Sequence, residues 1–352
     1  MIINDISFFN FRNILDKKIF FDKKMNVLCG ENAQGKTNIL EAIWLFTGFK
    51  SFRGSKDAEF IKKEKDNAKT EISFTNNSDI QTAKIIFNNK KSVFLNNKKI
   101  NSAALLNEKI KAVVFSPSDV NLVTDFPEKR RRSLDIAIGQ IYPKYIEISK
   151  NYARAITQRN LILRDLKYDN SLKIMLEAFE KEIVENGEKI IKYRLRYLEL
   201  LREILPFVYK DLSGGEKIKI NYLSTVKNNF RDSLKESFEE DILRGVTSVG
   251  PHRDDIVFYI NRLNAHNFAS QGQKRSISLA LKLSEAEIIK NKTNQMPIIL
   301  LDDVLSELDK GRQNYILNNI NEGQVFITCC DKTNFENLDG GKVFTVKNGD
   351  IF

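Results

Sequence analysis

Cysteine, histidine and long apolar runs are all scarce in this chain of 352 residues. Its three cysteines, Cys29 and the adjacent Cys329 and Cys330, are too few for a disulfide framework and lack the spacing of a metal cluster. They read as small, buried apolar residues. No uninterrupted apolar stretch nears the length of a bilayer span, and the first residues alternate polar with apolar where a signal peptide would carry an apolar core. A cytoplasmic location with no membrane partner is expected. No Asn-Lys-x-Asp motif selects guanine, no arginine-rich lid suggests a small-molecule kinase, and no aromatic-basic interleaving marks a familiar RNA-binding module.

What the chain does have begins with an ordinary soluble composition, 42% apolar and 29% charged, on a length that allows one large core or two smaller ones. The net charge of +10 favours an anionic partner, nucleic acid or a membrane surface.

The most informative stretch runs from the apolar Met25-Asn26-Val27-Leu28-Cys29 into Gly30-Glu31-Asn32-Ala33-Gln34-Gly35-Lys36-Thr37-Asn38. Two glycines let the backbone curl so that successive N–H groups point inward, and the helix that starts near Lys36 adds the positive end of its dipole. Such a loop cradles a polyphosphate. Lys36 can reach the β- and γ-phosphates, and the Thr37 hydroxyl can sit on Mg²⁺. Ile39, Leu40, Ile43 and Trp44 then recur at helical spacing, which completes a strand, loop and helix.

Around this unit, residues 1 to about 115 read as strand-rich: Ile2, Ile6 and Phe8, then Ile19 to Phe21, then three short runs between Thr70 and Leu95 that predict antiparallel hairpins, then Lys111 to Phe115. From Pro127 to Leu205 the period changes to helical, with Pro143 and Pro206 expected to mark ends. This segment suits a short arm and is too short for a long coiled coil. Strands return at Ile256–Ile260, Met296–Leu301 and Val325–Thr328, with a helix over Ser270–Lys290 and a closing hairpin turning at Asn348-Gly349.

Ile298-Ile299-Leu300-Leu301-Asp302-Asp303 supplies the carboxylates that a phosphate loop needs. Asp302 should hold Mg²⁺ with Thr37, and Asp303 should orient the attacking water. Two segments compete to be the signature that completes a neighbour's nucleotide site. Leu212-Ser213-Gly214-Gly215-Glu216 has the right letters, but the next residues alternate with period two, so it is expected to be a hairpin turn. Ser270-Gln271-Gly272-Gln273-Lys274-Arg275 leads instead into a helical stripe, as a signature should. Residues 129–167 carry ten basic against three acidic side chains, most of the net charge, and Arg130, Arg131 and Arg132 are the candidate DNA-phosphate contacts.

Taken together, Asn10-Phe11-Arg12-Asn13, Gly30 to Asn38, Leu40-Glu41-Ala42-Ile43, Ser51-Phe52-Arg53, Phe115-Ser116-Pro117, Arg130 to Arg132, Gly250-Pro251-His252-Arg253-Asp254-Asp255, Ser270 to Arg275 and Leu301-Asp302-Asp303 resemble the RecF family of bacterial recombination mediators. The resemblance implies an α/β ABC-type head, related to SMC heads, over residues 1–115 and 246–352, with an inserted, mostly helical lobe at 116–245. It implies ATP with Mg²⁺, and a homodimer that forms on ATP, in which Ser270, Gln271, Gly272 and Gln273 of one copy seal the nucleotide held by the other. It further implies binding to gapped or single-strand/double-strand junction DNA, slow hydrolysis, and cooperation with RecO and RecR in loading RecA. Arg12 would lie near the nucleotide.

The chain departs from ABC ATPases at large in two places. Asp303 stands where a glutamate is usual, and Ile327-Thr328-Cys329-Cys330 stands where a switch histidine is usual, the only histidines being His252 and His266. Both departures suit an ATP-timed clamp better than a fast motor. The alternative reading is the ATPase subunit of an ABC membrane transporter.

Overall fold

Alternation at the N-terminus builds strand β1 (Ile2–Phe9), with strands and helices numbered along the chain. A bulge between Ile3 and Asp5 shifts its register, so Ile3, and not Ile2, joins Ile6 and Phe8 on the buried side. The computed structural model describes the chain except for residues 77, 167–169, 320–321 and 331–339. The chain forms two compact units, Met1–Val120 with Leu281–Phe352, and Asn121–Ala280.

In the first unit, β1 pairs with β2 (Lys18–Phe20) and with β4 (Ala68–Asn76), and β5 (Asp79–Phe87), β6 (Ser92–Leu95) and β7 (Lys98–Ile100) extend an antiparallel sheet of order β2-β1-β4-β5-β6-β7. The expected hairpins are therefore present. A second sheet takes the strands that carry no charge: β3 (Met25–Cys29), β8 (Ala112–Phe115), β12 (Ile298–Leu301) and β13 (Val325–Cys329). It is completed by β14 (Lys342–Lys347) and β15 (Asp350–Ile351), in the order β15-β14-β3-β13-β12-β8, parallel up to the final hairpin. Uninterrupted apolar runs suit a parallel sheet because both of its faces are covered. Gln324 ties the two sheets, accepting from Ile3 N at 2.7 Å and donating to the Ile3 and Asp22 carbonyls. Helix α1 (Lys36–Leu45) buries the stripe of Ile39, Leu40, Ile43 and Trp44, and α2 (Ala104–Asn107) and α10 (Lys310–Asn319) belong to the same unit.

The second unit consists of α3 (Pro127–Ile141), α4 (Pro143–Asp165), α5 (Lys173–Ser213), α6 (Phe230–Glu236), α7 (Phe238–Arg244), α8 (Ala265–Phe268) and a three-stranded sheet. That sheet has the order β11 (Leu263–Asn264), β10 (Asp255–Ile260), β9 (Ile218–Leu223), all antiparallel. Helix α9 (Gln271–Thr293) starts here and runs on into the first unit. Helix α5 has 41 residues, a rod of about 60 Å at the standard rise.

Three expectations change. The second unit continues to Ala280 where an end at residue 245 is expected, because β10 pairs along its whole length with β9 and α8 packs on β10. Pro206 lies inside α5 and does not end it: one hydrogen bond is lost, but Leu205, Tyr209 and Leu212 continue the buried stripe until Gly214 caps the helix with φ 73°. The Leu212–Glu216 turn therefore joins a helix to a strand, and the hairpin partner of β9 is β10, further along the chain.

The polar core of the second unit is held by charge. Arg159, fully buried, donates to Asp241 at 2.7 Å and to Thr247 at 2.9 Å, and pairs with Glu180 at 3.1 Å. Breaking a buried pair strands its partner away from water. Arg159→Leu should therefore lower the unfolding free energy by about 3 kcal/mol in urea titration. Arg154→Ala, which removes an exposed pair with Glu182, should cost under about 1 kcal/mol. Equal midpoints for the two variants would contradict the assignment of Arg159 as a core anchor.

Candidate nucleotide site

Strand β3 delivers the phosphate loop to the middle of the parallel sheet. Gly30 follows it, donates its N–H to the Cys329 carbonyl at 3.2 Å, and has no room for a Cβ, which would fall 2.2 Å from the Val346 oxygen. Gly35 closes the loop at φ 114° as the residue that caps α1, with its carbonyl accepting from Asn38 N at 3.0 Å. Ala33 also takes a left-handed conformation, φ 65°. The rest of the loop is clamped from outside: Gln34 accepts from the backbone of Asn348 and Gly349, Asn13 donates to the Ala33 carbonyl at 3.4 Å, and Asn38 donates to Asn13 at 2.7 Å. Glu31 and Asn32 are exposed at its tip.

Lys36 is buried at the loop's mouth, and its ammonium donates to the carbonyls of Gly30 at 2.5 Å and Glu31 at 3.1 Å. The Thr37 hydroxyl donates to Asp302 Oδ1 at 2.7 Å. Asp302 sits just past β12, where its N–H bonds the Phe115 carbonyl, and it accepts a second hydroxyl hydrogen bond from Thr328 at 3.0 Å. Burial pushes its carboxyl above the usual carboxylate range, while the Thr37 and Thr328 donors pull it back. Asp303 is held with φ 51°, and its N–H donates to Thr328 Oγ1 at 2.8 Å. Thr328 thus touches both carboxylate residues, a role sequence reading missed. It stands in the segment where ABC ATPases usually carry a switch histidine, and β13 lying between β3 and β12 brings it there.

The hard oxygens of Thr37 and Asp302, already in contact, have the chemistry that Mg²⁺ requires, and an ammonium beside a run of loop N–H groups fits a polyphosphate. Arg12 is placed less directly than expected. Its guanidinium pairs with Glu41 of α1 at 2.8 Å, donates to Ser55 at 2.7 Å and lies 4.9 Å over the Phe60 ring. Burial lowers its pKa and Glu41 opposes that. Arg53 reaches Asn38 at 3.2 Å, and Ser51 hydrogen-bonds Glu41, so the Ser51-Phe52-Arg53 block braces α1 behind the loop.

The cysteines differ from expectation. Cys29 alone is buried; Cys329 is half-buried and Cys330 exposed, with its sulfur 3.5 Å from the Lys36 ammonium. The strand that carries them ends at the loop, so the chain surfaces there.

In the second unit, Ser270 and Gln273 cap α9 reciprocally: Gln273 N donates to Ser270 Oγ at 3.2 Å and Ser270 N to Gln273 Oε1 at 2.8 Å. Ser270 and Gln271 are exposed, Gly272 and Gln273 half-buried. Gln273 also donates to Glu216 at 2.6 Å, and Glu216 accepts from Tyr209 at 2.9 Å. The Leu212–Glu216 turn thus braces the start of α9, a link no local pattern reveals.

The Gly250–Asp255 block is also structural. His252 donates from Nε2 to the Thr247 carbonyl and accepts from Tyr152 at Nδ1, and burial lowers its pKa to about 4, so it stays neutral. Asp254 accepts from the Thr225 backbone and hydroxyl and from Tyr222.

Of the three arginines expected on DNA, Arg130 is 7% exposed and forms a bidentate pair with Asp255, its remaining nitrogen on the Leu122, Val123 and Asp125 carbonyls. Arg131 donates to the Asp254 carbonyl, and only Arg132 is exposed. A helix placed under a sheet spends its arginines on the sheet. In the same basic stretch Arg159 is in the core, Lys129 and Arg154 are paired, and Lys167 lies outside the described residues.

The family model of the RecF/RecN/SMC N-terminal domain matches residues 2–350. The DNA replication and repair protein RecF of Agathobacter rectalis is 37% identical over 360 residues, spanning 100% of this chain and 99% of that protein. A solved structure described as the recombination mediator protein RecF-ATP in the RecFOR pathway matches with a TM-score of 0.92 at 33% identity, over 100% of this chain and 97% of that one. An Smc head domain from Pyrococcus furiosus, at 17% identity and TM-score 0.56 over 99% and 95% of the two chains, shares the fold alone. With a family model matched from residue 2 to 350 and a 37% identical relative spanned almost end to end, this α/β head of ABC type belongs to the RecF family.

Proposed function

We propose that the chain is an ATP-dependent DNA-binding mediator of recombinational repair, in which the nucleotide state governs the hold on DNA. The observation that carries this reading is the 2.7 Å contact between Thr37 of the phosphate loop and Asp302 of the neighbouring sheet end. It supports a site for a nucleoside triphosphate with Mg²⁺, and the RecF-ATP relative supports ATP as that nucleotide.

The loop N–H groups beyond Gly30, whose own N–H is taken by the Cys329 carbonyl, and the Lys36 ammonium would bind the phosphates, and Thr37 and Asp302 would hold Mg²⁺, which would supply charge neutralisation there. Asp303 is the carboxylate available to orient the attacking water and take its proton. It is one methylene shorter than glutamate, and a threonine stands where a histidine could assist, so slow turnover is expected.

The N-terminus of α9, with Ser270 and Gln271 exposed and Gly272 half-buried behind them, would face the γ-phosphate of a second copy. That attraction exists only while the triphosphate persists, which gives the closed homodimer a differential affinity for ATP over ADP. The reading extends to RecO and RecR as partners, supported by the RecFOR pathway named for the relative, and, from the family resemblance alone, to gapped or junction DNA and to RecA. The transporter alternative loses its one support, since Gly214 and Gly215 cap α5 and lead to a strand, leaving no helix behind the lookalike to face a phosphate.

Three variants test these assignments. Lys36→Met should weaken ATP binding about 10- to 100-fold by equilibrium titration, the worth of a charge-assisted hydrogen bond. Ser270→Arg should leave that affinity within about twofold yet abolish the doubling of mass that light scattering should detect with Mg²⁺-ATP and not with ADP. If both variants lose ATP equally, the cross-subunit role of Ser270 fails. Thr328→Val keeps the side-chain shape and removes the hydroxyl shared by Asp302 and Asp303; hydrolysis should fall about 10-fold with ATP still bound, as for other residues that position metal ligands. Unchanged turnover would remove Thr328 from the site.

A further inference from the structure

Arg130, Arg131 and Arg159 are committed to internal partners, which leaves other basic surfaces to meet an anionic partner. The outer face of the β9–β10 sheet has the required chemistry. Along β9 the period-two pattern buries Ile218 and Ile220 and turns Lys217 and Lys219 outward. In β10 the inward residues are Ile256, Phe258 and Ile260, so Val257 and Tyr259 share the outer face. The antiparallel register sets Tyr259 directly opposite Lys219, and Val257 opposite Asn221. Lys217 is locked to Asn261 by two hydrogen bonds, Lys217 N to Asn261 Oδ1 at 3.1 Å and Asn261 N to the Lys217 carbonyl at 2.9 Å. Asn261 and Arg262 both take left-handed conformations, φ 48° and 75°, in the tight turn between β10 and β11.

These residues line an open groove of about 730 Å³ that contains Lys217, Lys219, Arg262, Tyr259 and two asparagines, with no carboxylate in its wall. The two nearest acids by sequence are already committed. Glu216 accepts from Tyr209 and Gln273, and Asp255 is bidentate with Arg130. Lys217, Lys219 and Arg262 are exposed and enter no ion pair among the described residues. Three uncompensated cations around a half-exposed aromatic ring are what a single strand of nucleic acid uses: phosphates for the charges and an unpaired base for the ring. A duplex would leave the ring unused, because its bases are already stacked.

We propose that this sheet face binds single-stranded DNA, with Lys217, Lys219 and Arg262 on successive phosphates and a base stacked on Tyr259. The proposal rests on the DNA-binding reading above and adds to it the surface that would recognise the single-stranded side of a gap. It was invisible along the chain because its aromatic and its lysines lie on different strands.

The test is fluorescence anisotropy of a labelled oligo-dT and of a blunt duplex, over a range of salt, on the full chain. Lys217→Gln with Lys219→Gln should weaken oligo-dT binding at least about 10-fold and reduce the log–log salt slope by about 1.4, the loss of two single-strand phosphate contacts. Tyr259→Ala should weaken it about 5- to 100-fold with the slope unchanged, and Tyr259→Phe should restore it. ATP affinity, read at the Lys36 site, should stay at the wild-type value in all three and so reports intact folding. Wild-type oligo-dT affinity and slope in the lysine variant would overturn the surface while leaving the DNA-binding function standing. Losses confined to the duplex would overturn the single-strand assignment. A wild-type chain that binds neither probe would overturn the DNA reading itself, and this proposal with it.

Discussion

The hydrogen bond from Thr37 to Asp302 joins residues 265 apart in sequence, and the catalytic reading depends on it. It exists because β13 enters the sheet between β3 and β12, all three parallel, so that their C-terminal ends open on one side. In a parallel sheet that side collects the loops that follow the strands, which is where ligands of open α/β sheets bind. Topology, more than any local propensity, brings a loop lysine, a hydroxyl and two carboxylates to one place. The same arrangement explains the third participant, Thr328, whose own strand is the one that separates the other two.

Around that centre the chain commits its polar groups to bracing. Glu41, buried in α1, gathers Arg12, Arg53 and Ser51 behind the loop, while Gln34 and Asn13 fix the loop from the sides. The second unit repeats the approach at its helix start, where Gln273 caps α9 and reaches Glu216. Such bracing fixes a helix end in place, so that its N–H groups need no reorganisation before they act.

Much of this was legible in advance, and the exceptions have physical causes. The strand, loop and helix around Lys36 declare themselves through glycine positions and apolar period, and the central parallel strands β12 and β13 through their lack of charge. The strand after Gly215 and the helix through Gly272 were distinguishable because the first period is two and the second helical. The failures arise where tertiary partners decide. Pro206 stays inside a helix because the buried stripe continues past it. Arg130 reads as a phosphate contact and instead anchors α3 to Asp255, since charge counted along a chain says nothing of what faces it. Thr328 has no local signature, for it meets Asp302 and Asp303 only because its strand lies beside theirs.

In the proposed function, nucleotide state decides the hold on DNA. The most direct measurement is an electrophoretic mobility assay on gapped duplex with Mg²⁺-ATP, with ADP and with no nucleotide. A retarded complex that forms with ATP and dissolves with ADP is the predicted result. Equal retardation in all three conditions would contradict it.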